Sequence, residues 1–166
     1  GNDFIVLDGR KTSLKLDADQ VRWIADREQG PGCDQLIVME KTPVAAADVF
    51  MRIFNRDGSE VEACGNATRC IAALVAKESG RSGVIVQTKA GLLPTQVKGG
   101  RATVDMGKPK FDWQDIPLSE EFGDTRGIEL QIGPIDAPVL HTPSVVNVGN
   151  PHAIFWVDND PDSYDL

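Results

Sequence analysis

The chain has 166 residues, 41% of them hydrophobic and 25% charged, with a formal net charge of −8. That length suits one ordinary domain, or one domain and part of another, and the composition supports a packed core rather than disorder. The acidic balance and the absence of a basic run argue against nucleic-acid or anionic-membrane binding, no apolar stretch of about 18 residues reads as a spanning helix, and a soluble, cytoplasmic protein is expected.

The chain begins Gly1-Asn2-Asp3 without an initiator Met and stops at Tyr164-Asp165-Leu166 just after a strand-like run, as if both ends were cut. Asp3 to Asp8 reads as a buried strand closed by Asp8-Gly9. Asn2 stands at its rim, where a turn residue is the plainer reading. Asp17 is a good N-cap for a helix over 18–28, with Val21, Ile24, Ala25 and the stem of Trp23 as its stripe and Gly30-Pro31-Gly32 as its stop. Cys33 is expected to be a packing residue, and Asp34-Gln35 leads into a strand over 36–39.

An alanine-rich connector then precedes the stretch on which the rest turns. Val49 to Phe54 has strand character, Asn55-Arg56-Asp57-Gly58 signals a hairpin, and Glu60-Val61-Glu62 alternates as a half-buried strand does. The corner Cys64-Gly65-Asn66 opens a helix whose apolar residues, Ala67, Cys70, Ile71, Ala73, Leu74 and Val75, cover most of its circumference before Gly80. Such a helix is expected to be central, wrapped by sheet on several sides, with Cys70 in the core.

Runs at 83–88, 92–97 and 101–106, joined by Ala90-Gly91 and Gly99-Gly100, read as an antiparallel meander. The expected organisation is a first domain over 1–108, a linker over 109–118 rich in Pro and Asp and holding Trp113, and an incomplete second domain over 119–166. Strand-like pieces at 128–132, 139–141, 144–148 and 153–157 have no helix to cover them, so the second domain needs further sequence or a partner.

Chemistry points to the corner. N–H groups at a helix start lack intrahelical partners and carry the positive end of the dipole, which suits a thiolate and a bound carboxylate together. Cys64 is the candidate reactive atom, Gly65 allows close backbone approach, and Gly65-Asn66 supply donors. Cys33, Cys64 and Cys70 are odd in number without a CxxC pair, and His141 and His152 add no ligand spacing, so neither a disulfide framework nor a metal site is expected. A thiol beside a carboxylate serves either attack on an acyl group, with His152 and Asn150 as base and orienter, or removal of an α-proton, which wants a second acid–base group on the opposite face. Residue types alone leave both open, along with a purely structural Cys64.

The blocks GNDF (1–4), GCDQ (32–35), FNRDGSEVEACGNATRC (54–70) and GNPHA (149–153) together resemble diaminopimelate epimerase, a family of isomerases in bacterial lysine and cell-wall biosynthesis that work without pyridoxal phosphate. The resemblance implies an α+β fold of two similar halves, each a mostly antiparallel sheet curled around a central helix, with the active site between them. It implies no cofactor and a small-molecule substrate, diaminopimelate. It makes Cys64 one of two catalytic cysteines, sets His152 beside the reacting centre, and puts Asn2, Gln35, Asn55, Gly65, Asn66 and Asn150 at the substrate. Neutral amide donors and acceptors suit a substrate with two ammonium and two carboxylate groups. Two departures stand out. Ala67 occupies a position where the family usually has Gly, and the second catalytic Cys, in a Cys-Gly-Thr helix start, belongs to a C-terminal half that these 166 residues do not contain. The chain alone is therefore expected to lack activity without that half, with a homodimer as the other conceivable partner.

Overall fold

Three apolar runs rich in β-branched and aromatic residues favour extended backbone, and they make the middle of the fold in the computed structural model, which describes residues 2–164. Strand β1 (Phe4–Asp8) runs parallel to β2 (Gln35–Glu40), and β2 antiparallel to β3 (Val49–Asn55), in a register that lines up Phe4, Gln35 and Asn55. Beyond β3 the sheet divides. The short β4 (Glu60–Val61) pairs with Ile53 and Phe54, whereas β5 (Gly83–Thr88) runs parallel to Val49 and Phe50. The expected meander follows, with β6 (Gly91–Lys98) and β7 (Arg101–Val104), and gives the order β1-β2-β3-β5-β6-β7. The result is an α+β fold whose sheet is mostly antiparallel with two parallel junctions.

Strand side chains alternate between faces, and each face here has its own helix. On one, Ile37, Met39, Val49, Met51, Ile53, Val84 and Val86 meet Ala67, Ile71, Ala72 and Val75 of helix α2 (Gly65–Ser79), around which the sheet curls from β3 to β7. On the other, Leu36, Val38 and Phe54 meet Val21 and Ala25 of helix α1 (Ala18–Ala25), with Cys33 buried among them. Each Val, Leu, Ile, Met or Phe among them contributes about 1.5–3 kcal/mol on burial. Cys33 is thus a core residue, as expected, and its thiol is pushed up in pKa by that burial.

Both helices differ in detail from their sequence reading. Asp17 caps α1 in a full capping box with Gln20, but the helix ends at Ala25 rather than 28. The Asp26 carboxylate takes the N–H groups of Glu28 and Gln29, at 2.7 and 2.8 Å, and so draws the backbone out of the helix. Trp23 lies on the outer side, 57% exposed, and is no part of the buried stripe. Helix α2 ends at Gly80 in the left-handed conformation, as the glycine predicts. It is buried on one face only: Cys70, Ala73 and Leu74 lie on its exposed side. Cys70 is therefore not a core residue. Apolar residues on the outer positions imitate all-round burial in a helical wheel, although the sheet covers a single side.

Backbone packing divides the chain into two units, Gly1–Met106 and Gly107–Leu166. The second holds two small antiparallel ribbons, β8 (Gln131–Ile132) with β9 (Leu140–His141) and β10 (Ser144–Asn147) with β11 (Pro151–Ile154). Its core is small, with Ile116, Ile128 and Val145 buried against Leu118 and Phe122. The segment after Met106 is tied into this unit by paired backbone hydrogen bonds between Lys110 and Asn147, 2.8 and 3.0 Å long. Two strands are shifted from their sequence reading. β8 takes only the end of the run 128–132, because Ile128 turns into the core. β11 starts at Pro151 rather than 153, because Gly149, at φ +107°, completes the turn two residues earlier. Among the described residues no helix is long and apolar enough to cross a membrane.

Candidate active site

The short β4 brings the chain back along β3 and delivers it to Cys64, which is the N-cap of α2 in extended backbone, φ −150° and ψ 108°. Its side chain makes no capping hydrogen bond, and the first turn holds no acidic residue. No side chain of the helix itself therefore neutralises the positive helix end. Thr68, fully buried one turn on, directs both its N–H and its hydroxyl to the Cys64 carbonyl, each at 2.9 Å. Those two hydrogen bonds to one acceptor fix the corner from beneath. Cys64 itself is half-buried against the α2 side of the core, and all three cysteines are free thiols. A Cβ on Gly65 would stand 3.4 Å from the Met106 sulfur, and the residue is not left-handed, so neither crowding nor backbone strain demands glycine there.

Four amides expected at the site gather in two pairs at the same end of the sheet. Asn66, in the first turn of α2, donates from Nδ2 to Asn2 Oδ1 at 2.8 Å and receives a short hydrogen bond from Arg69. Gln35 donates from Nε2 to Asn55 Oδ1 at 3.0 Å. The register makes this second pair: Gln35 and Asn55 are direct partners across β2 and β3, and continue the row of Ile37 and Ile53 on the α2 side. Asn150 and His152 lie in the second unit, where His152 Nε2–H donates to Asn150 Oδ1 at 3.0 Å. His152 sits on β11 opposite Val146, and His152 and Asn150 are both exposed.

Ion pairing holds the Asn2 side in place. Arg27 forks onto Asp3, Nη1 and Nη2 each 2.9 Å from a carboxylate oxygen, and Nη2 also reaches Asp34 Oδ1 at 2.9 Å. Asp34 N–H donates to Asp3 at 2.7 Å, while Asp34 receives Asp3 N–H at 3.2 Å and Asn2 Nδ2 at 3.4 Å. The Arg27 guanidinium, followed by the Asp34 N–H, holds the Asp3 carboxyl at about 2 against an ordinary 3.8. Asp34 is lowered as well, first by the Asp3 N–H and then by Arg27. On the Asn55 side, Ser59 receives Asn55 Nδ2 at 3.2 Å.

The family model for diaminopimelate epimerase matches residues 1–112. The chain belongs to that family. The diaminopimelate epimerase of Afipia carboxidovorans is 55% identical over the whole of this chain, and those of Bradyrhizobium sp. strain ORS 278 and Brucella anthropi are each 51% identical. The chain spans 57% of the length of the first two and 55% of the third. Among solved structures, a predicted epimerase from Pseudomonas aeruginosa shares the fold with a TM-score of 0.57 at 20% identity, over 93% of this chain and 53% of that one. A hydroxyproline epimerase from Agrobacterium vitis does so with a TM-score of 0.56 at 16% identity, over 82% of this chain and 42% of that one.

Thr68, Ser59 and the Asp3–Arg27–Asp34 group were not singled out from the sequence of this family member. Thr68 carries a local signal, a hydroxyl four residues after an N-cap, the spacing at which Ser and Thr bond back to a helical carbonyl. Arg27 carries none. Its partners lie 24 and 7 residues away, and only the parallel β1–β2 pairing brings them together.

Proposed function

We propose that this chain supplies one thiol and half of the substrate cradle of an epimerase that interconverts LL- and meso-diaminopimelate, in the supply of lysine and peptidoglycan precursors. Cys64, as thiolate, takes the proton from the substrate α-carbon, and a thiol on the opposite face donates its own proton to the resulting carbanion, so that the configuration inverts and one proton has been exchanged. Charge that develops on the adjacent carboxylate is stabilised by the N–H groups of Gly65 and Asn66 at the start of α2. Asn2, Gln35 and Asn55 fix the ends of the substrate, and Asn150 and His152 are substrate-contacting residues carried by the second unit, the start of a second similar domain. No pyridoxal phosphate takes part, and the reaction is cytoplasmic.

The observation that carries this reading is the uncapped start of α2, with Cys64 as its N-cap and two amide pairs at the same end of the sheet. The other cysteines argue for an opposing thiol from outside these 166 residues: Cys33 is buried on the α1 side, and Cys70 lies on the outer side of α2. Either a C-terminal segment such as the longer relatives carry, or a second copy, brings it. Incubation of the chain with LL-diaminopimelate in deuterated water tests the proposal. Slow deuterium uptake at the α-carbon without net inversion is expected, abolished by Cys64→Ala. Conversion to the meso form at an ordinary enzymatic rate by the isolated chain as a monomer refutes the two-thiol mechanism, and a trapped acyl-thioester on Cys64 refutes proton transfer in favour of hydrolysis.

A further inference from the structure

The hairpin turn beside the site carries a chain of hydrogen bonds whose direction is fixed at one end. Asp57 Oδ1 receives the Ser59 hydroxyl at 2.6 Å and the Ser59 N–H at 2.8 Å. These two bonds lower the Asp57 pKa, the hydroxyl more than the N–H, so the group is a carboxylate at neutral pH. A carboxylate only accepts, so the one hydroxyl proton of Ser59 points at Asp57, and Ser59 Oγ is left to accept. Asn55 must then present its NH2 to Ser59, at 3.2 Å, which turns its carbonyl oxygen towards Gln35. Gln35 in turn must present its NH2 to Asn55, at 3.0 Å. Gln35 Oε1 is left over: among the described residues it has no hydrogen-bond donor, and it is not sealed from solvent.

We propose that Asp57 is a positioning residue which, through Ser59 and Asn55, locks the Gln35 amide with its carbonyl oxygen outward, as the acceptor for an ammonium group of the substrate. The assignment to a substrate ammonium rests on the function proposed above; the locked relay does not. Without a carboxylate at position 57 the amides of Asn55 and Gln35 are free to reverse, and Gln35 would offer donors, which suit a carboxylate instead. The turn is built to stay in place. Arg22 of α1 donates to the Asp57 carbonyl at 2.9 Å, and Gly58, at φ +88°, lets the backbone lie against Ala18, whose carbonyl a Cβ would meet at 2.8 Å.

Side-chain amide NMR signals of Asn55 and Gln35 in the 166-residue chain test the relay. Asp57→Asn and Ser59→Ala are each expected to shift both amide signals, and Ser59→Thr, which keeps the hydroxyl, to shift neither appreciably. An unmoved Gln35 signal in both Asp57→Asn and Ser59→Ala overturns the relay. Titration then compares diaminopimelate with pimelate, which has the carboxylates but no ammonium. Diaminopimelate alone is expected to move the Gln35 side-chain carbonyl carbon, and Asp57→Asn to weaken its binding about tenfold, the scale of one hydrogen bond to a charged group. Equal responses to both ligands, or equal affinity in Asp57→Asn, overturn the ammonium assignment. If no signal near Cys64 answers either ligand, the proposed function of the chain fails, and the amide signals still decide the relay.

Discussion

Ile71 and Leu74 stand less than one turn apart on α2, and the structure assigns them opposite fates. Ile71 is fully buried against the sheet, whereas Leu74 is 40% exposed on the outer side. Ile71→Ala deletes three carbons, a transfer loss of about 2.4 kcal/mol at about 0.8 kcal/mol each, and the residual cavity brings the cost to about 3–4 kcal/mol. Leu74→Ala forfeits only partial burial and gains helix propensity, so its cost is expected below about 1 kcal/mol. Urea unfolding followed by helical circular dichroism measures both changes, because α1 and α2 lie in the first unit and the signal reports on that unit. An unchanged slope with denaturant is needed for the comparison to be one of stability. Equal costs at the two positions would refute one-sided burial of α2 and restore a helix enclosed all round.

Thr68→Val keeps the shape of a fully buried side chain and removes the hydroxyl that bonds the Cys64 carbonyl, while the Thr68 N–H still satisfies that carbonyl. A loss of about 1 kcal/mol in urea unfolding is expected, with Thr68→Ser retaining the bond; no loss would mean that the hydroxyl does not hold the corner. Gly30→Ala would put a Cβ 1.9 Å from the Trp23 carbonyl oxygen, so the backbone must move, and a cost of about 3 kcal/mol is expected by the same assay. Asp3 titrates at about 2 in the folded chain against an ordinary 3.8. A depressed carboxyl stabilises the fold above the unfolded value and ceases to do so as pH falls through the folded one, so the contribution of Asp3 is full above about pH 4 and lost between about 4 and 2. Carboxyl NMR titration is expected to show the low midpoint, with Arg27→Gln returning it towards 3.8; an unmoved midpoint would exclude Arg27 as the main cause.

The strands and the hairpin were legible because their signals are local. Alternation in Val49-Phe50-Met51-Arg52-Ile53 and the Asp57-Gly58 turn need no information from elsewhere, and the glycine at 80 stops α2 by its own backbone chemistry. The end of α1 is not legible in the helical pattern because Asp26 competes for the backbone N–H groups that a longer helix would use. The buried face of α2 is not legible because Cys70, Ala73 and Leu74 are as apolar as the core positions, and which side the sheet covers is not written in the helix. At the site, the residue blocks could be named from the sequence, but not who bonds to whom.

The sequence by itself determined that a thiol begins a helix, that amide side chains accompany it, and that the chain belongs with the diaminopimelate epimerases, since these rest on residue identities and short spacings. Tertiary structure decided the rest. Gln35 meets Asn55 only through the antiparallel register of β2 and β3, Asn2 reaches Asn66 only because α2 starts at the same end of the sheet as β1, and the free acceptor on Gln35 follows from a relay that begins at Asp57. Spacing along a chain fixes which face a side chain takes on its own element; which partner it finds there depends on how separate elements are brought into register.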